Sequence, residues 1–140
     1  MKTSVLSRAL AAALVGFAMF GFVTFGLATI ARAEIKDYQF ELIDQTVKAG
    51  PDRNITVRLV NKVTGKPVPD AVIFATRLDM APEGMQEMAT KIVPVPGAEP
   101  GIYKFKATFG MAGRWLLSLG AKVQGETGTV ESKLVITAQK

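Results

Sequence analysis

Tyr103-Lys104-Phe105-Lys106-Ala107-Thr108-Phe109 places apolar and polar side chains at alternate positions, the period of a β-strand with one buried and one wet face. Upstream, Ile55-Thr56-Val57-Arg58-Leu59 repeats the pattern. Downstream, Trp115-Leu116-Leu117-Ser118-Leu119 is apolar nearly throughout, which predicts a mid-sheet strand covered on both faces. Outward from these three, runs rich in β-branched and aromatic residues predict seven strands, over residues 38–46, 54–61, 71–77, 90–95, 102–109, 114–123 and 129–137. Gly, Pro, Asn and Asp punctuate them, as in Gly65-Lys66-Pro67-Val68-Pro69 and Gly97-Ala98-Glu99-Pro100-Gly101, where turns need such backbones. From residue 34 onward no sustained helical period, repeat or low-complexity tract occurs, and residues 83–89 have room for one helical turn at most. The expectation is an all-β, seven-stranded, immunoglobulin-like sandwich.

The sandwich is preceded by a segment of another kind. Lys2 and Arg8 form a basic start, the run from Ala9 to Ala31 carries no charge, and Ala31-Arg32-Ala33 ends it with small residues where signal peptidase cuts. Residues 1–33 therefore read as a signal peptide, leaving 34–140 as a single domain exported to the periplasm. The alternative keeps the segment as an inner-membrane anchor, because its uncharged run is long enough for a hydrocarbon core of about 30 Å.

The charge excess is partly a property of this leader. The chain has 17 Lys and Arg against 12 Asp and Glu; removing Lys2, Arg8 and Arg32 leaves fourteen against twelve, a net charge of +2. No basic cluster with interleaved aromatics remains, so the composition excludes a nucleic-acid partner. There is no cysteine and no histidine. The domain must therefore be held by apolar burial and backbone pairing rather than disulfides. Zinc sites built on Cys or His are excluded, and nucleophilic catalysis of the usual kind lacks its nucleophile and base. Phosphate-binding glycine loops are absent as well, so the sequence reads as non-enzymatic.

The segment Asp79-Met80-Ala81-Pro82-Glu83-Gly84-Met85-Gln86-Glu87-Met88 holds three of the four methionines beyond the leader, and Met111 is the fourth. Thioethers are soft, uncharged ligands that select Cu(I) and leave harder cations to carboxylates. A loop carrying Met80, Met85 and Met88, with Met111 nearby, suits an all-sulfur Cu(I) site. The competing reading makes the same residues adaptable filler or an apolar contact surface. Asp79, Glu83 and Glu87, spaced by four, would share one face if the loop were helical; a solvated face is the ordinary role of such charges. Trp115 has two readings, a cation-π cover over a soft ion and an apolar core anchor.

Gly65-Lys66-Pro67-Val68-Pro69-Asp70-Ala71-Val72, the Met80–Met88 stretch, Pro100-Gly101-Ile102-Tyr103 and Phe109-Gly110-Met111-Ala112-Gly113-Arg114-Trp115 together resemble the YtkA-like and FixH-related families of small exported or membrane-anchored β-sandwich domains, over residues 54–138. The resemblance implies a periplasmic domain concerned with copper or heavy-metal handling and, for FixH relatives, with assembly of a copper-containing oxidase. It implies Met80, Met85 and Met88 as loop ligands facing Met111 and Trp115. Relatives often add a histidine near the Met loop, and its absence here disfavours Cu(II) more than Cu(I). Two expectations result: a Cu(I) carrier for delivery or resistance, serving a membrane oxidase-assembly or metal-efflux complex, or a metal-free module that docks on such a complex through its Met-rich loop. A sugar- or peptide-binding sandwich has less behind it, because most aromatics fall at buried strand positions.

Overall fold

A computed structural model describes residues 34–140; the leader expected over 1–33, whether cleaved or kept as an anchor, lies outside the described residues. The described chain forms nine strands: β1 (Tyr38–Leu42), β2 (Thr46–Lys48), β3 (Gly50–Asn61), β4 (Val72–Met80), β5 (Met85–Thr90), β6 (Ile92–Val95), β7 (Ile102–Phe109), β8 (Gly113–Lys122) and β9 (Val130–Gln139). They make a four-stranded sheet, β1-β3-β7-β6, and a five-stranded sheet, β2-β9-β8-β4-β5. These orders match the immunoglobulin arrangement, with β1, β3, β7 and β6 as one sheet and β9, β8 and β4 as the centre of the other. Among the described residues no helix is long and apolar enough to cross a membrane.

Nine strands replace the expected seven for two reasons. The run 38–46 stops as a strand at Leu42, and after Ile43–Gln45 a separate strand starts at Thr46 and joins the other sheet: β1 pairs antiparallel with β3, and β2 pairs parallel with β9. The stretch expected as a loop or a single helical turn contains a 3-10 turn at Ala81–Glu83 and then the edge strand β5. Gly84, at φ 73°, takes the left-handed conformation that reverses the chain there.

Alternation decides the core. Ile55, Val57 and Leu59 of β3, Phe105, Ala107 and Phe109 of β7, and Trp115, Leu117, Leu119 and Ala121 of β8 all point into one cluster with Phe40, Leu78, Met80, Val130 and Ile136. β8 sits mid-sheet between β9 and β4 as expected. Its outer face is not covered, however: Leu116 and Ser118 remain half-buried, because no further layer of described residues lies over that sheet.

At the end where β7 begins, the proline-rich loop is locked in place. The Tyr103 hydroxyl donates to the Val68 carbonyl at 2.8 Å and accepts from the Ala71 amide at 3.1 Å. Burial raises the Tyr103 pKa, partly offset by the Ala71 bond. Gly101, at φ 82°, lies against Pro67 so closely that a Cβ would overlap the proline ring.

Candidate functional site

The opposite end, where β4 and β7 finish and β5 and β8 start, collects most of the methionines. Met80 is the last residue of β4 and fully buried, with its side chain in the core; it is a strand residue and not a loop residue as expected. Alternation explains this, since Leu78 and Met80 share the inward face. Met85 opens β5 opposite Met80 and packs on the core while half-buried. The Met80 Cε reaches Gly113 at the start of β8, where an added Cβ would lie 2.7 Å away. Met111 occupies the β7–β8 hairpin two residues before Gly113 and is 41% exposed.

Met80, Met85 and the Met111 hairpin thus share one end of the sandwich. Met88 lies three residues farther along the edge strand and is 39% exposed. Trp115 is 2% exposed, edge-on to Phe109 at 5.5 Å between ring centroids. Its Nε1 donates to the Met111 carbonyl at 3.2 Å, so it anchors the core and holds the hairpin through that bond.

One interaction that sequence reasoning missed ties the turn to the hairpin. The Arg114 backbone amide and Nε both donate to Glu83 Oε1, at 3.1 and 2.9 Å, and Nη2 donates to the Pro82 carbonyl at 3.0 Å. These bonds hold the Glu83 carboxyl below the usual glutamate range, the Arg114 side chain contributing most. Partners 31 positions apart leave no local signal; the resemblance included Arg114 without giving it a role.

The carboxylates spaced by four do not share a face, because the segment is not helical. Asp79 is buried and bonded to Arg77 Nε, with its other oxygen accepting from the Ala81 amide at 2.9 Å. Glu83 is held by Arg114, and Glu87 lies exposed on β5. Among the described residues no three His, Cys, Asp or Glu side chains gather as metal ligands. The methionines bring thioether sulfur to this end, a donor type suited to soft monovalent ions.

A β-sandwich with most of its described methionines at one end and neither Cys nor His defines the class. The chain belongs to the YtkA-like family, whose model matches residues 32–120. No curated protein matches it. Two solved structures resemble it at 15% identity. The filamin domain of Lin-41 has a TM-score of 0.44, covering 76% of this chain and 94% of its own. The C-terminal domain of ZirS has a TM-score of 0.46, covering 100% of this chain and 84% of its own.

Proposed function

We propose that this chain is a non-enzymatic periplasmic protein that binds Cu(I), or a similar soft ion, through Met80, Met85, Met88 and Met111, for copper delivery or heavy-metal resistance. The observation that carries the reading is the gathering of Met80, Met85 and the Met111 hairpin at one end of the sandwich, where no cluster of three or more harder ligands competes among the described residues. Thioethers bind without losing a proton and add no charge, which suits a site that must release its cargo to a membrane oxidase-assembly or metal-efflux complex. The FixH relation, with its link to oxidase assembly, is part of the same proposal. Met80 would contribute from the core side, and the Arg114–Glu83 bonds would keep turn and hairpin in place around the ion.

A second reading has its own observation. Met88 and Met111 are each about two-fifths exposed, and exposed thioethers make adaptable apolar contacts, so this end would dock on a membrane complex without metal. Anaerobic Cu(I) titration against a competing chelator separates the two. One-to-one binding that is lost when Met80, Met85 and Met88 are changed together to Leu supports the carrier, because Leu keeps the apolar volume and removes the sulfur. A second variant, Met88→Leu with Met111→Leu, alters only exposed side chains and guards against misfolding. Absence of Cu(I) binding in the unaltered protein leaves the docking reading.

A further inference from the structure

The uncovered outer face of the five-stranded sheet is distinct from the methionine end. Its outward positions on β4, β8 and β9 form two adjacent rows: Ala75, Gly120 and Glu131 in one, Arg77, Ser118 and Lys133 in the other. The small residues of β8 leave a depression of about 500 Å³. Phe74, the extra residue of a bulge between Ile73 and Ala75, banks one side; its ring rests against Gly120 yet is 58% exposed. Glu131 and Lys133 bank the other side, both exposed and without an ion pair among the described residues. Arg77 spends Nε on Asp79 and Nη2 on the Gln86 carbonyl, which fixes its guanidinium and leaves the plane free for stacking.

We propose that this face is a self-association surface, on which a second copy of the chain stacks about a two-fold axis running across the strands between the two rows. That operation lays each row on the other. Glu131 meets the partner's Lys133, the Phe74 ring meets the partner's Arg77 in a cation-π contact, and Gly120 faces the partner's Ser118, which lets the sheets approach to about 10 Å. Each contact occurs twice, as an isologous interface requires. An axis along the strands would instead set Lys133 over Arg77, like charge on like charge, so the charge pattern selects the direction of the axis. This surface involves none of the methionines and needs no metal.

Sedimentation velocity on the full chain in mild detergent, over a range of concentrations, tests it. The unaltered protein is expected to dimerise. Lys133→Glu and Glu131→Lys should each weaken association at least about tenfold by opposing like charges, and the double exchange should restore it by remaking both pairs in reverse. Far-UV circular dichroism checks that each variant stays folded. A monomer at every concentration would overturn the proposal. So would a dimer indifferent to both single exchanges, as association through another surface predicts, or a double exchange that recovers nothing.

Discussion

Where β7 begins, a proline ring is pressed against Gly101; where β8 begins, a methionine thioether is pressed against Gly113. The steric relation is the same, but the stiffness differs. Pro67 is bound covalently to its own backbone, and the loop around it is fastened by Tyr103 and by the Val68 amide donating to the Leu59 carbonyl at 2.9 Å. Met80 presents the free end of a side chain with three rotatable bonds. Its neighbouring turn is held to the β7–β8 hairpin at the surface by Arg114, through Glu83 and the Pro82 carbonyl. A domain can therefore keep one end rigid while the other gives, and the compliant end carries the thioethers.

Three substitutions bear on that contrast. Gly101→Ala should cost most, about 4 kcal/mol, because a left-handed backbone must accept a Cβ against a ring that has nowhere to go. The drop in urea midpoint at unchanged slope would measure it. Gly113→Ala should cost less, about 2 kcal/mol, although its φ of 143° is also strained for an L-residue; the thioether can swing aside. Equal costs at the two glycines would break the comparison. The smallest effect belongs to Glu83→Gln, which should leave the urea midpoint nearly unchanged but speed hydrogen exchange at the Arg114 amide.

The same carboxylate makes the compliance depend on pH. The folded pKa of Glu83 is lowered, so its bonds to Arg114 contribute at pH values above the unfolded glutamate pKa and are lost as pH falls through the lowered folded value. Acidification of the unaltered protein should therefore lower protection at the Arg114 amide, measured relative to the intrinsic exchange rate at each pH, as Glu83→Gln does, and should leave protection at the Tyr103 end unchanged. Protection lost equally at both ends would show that acid acts on the whole sandwich.

Legibility in the sequence followed burial. β7 was located at both of its bounds, and β8 to within a residue, because their inward positions alternate or run apolar. β5 was missed because four of its six residues are exposed, so no period marks it, and Met-Gln-Glu-Met has no β-branched residue to signal a strand. β2 was missed because three residues are too few to separate from β1. At the candidate site the methionines were found by composition, but Met80 was read as a loop residue since the strand continues three residues past the expected boundary at 77. The Arg114–Glu83 bonds and the Met80–Gly113 contact join distant segments, and no local pattern carries them. The family-like motifs at 65–72 and 100–103 proved to be architectural, as the seat of Pro67 on Gly101 and the Tyr103 bonds show.

The parallel pairing of β2 with β9 has a mechanical consequence. Thr46, Val47 and Lys48 lie beside Thr137, Ala138 and Gln139, and the Thr137 and Ala49 amides bond the Gln45 and Gln139 carbonyls at 2.9 and 2.6 Å. Once β1 has left β3, a pull between residue 34 and Lys140 drags these two parallel strands in opposite directions along their length. The hydrogen bonds between them would be loaded together, in shear, instead of opening one after another like a zipper.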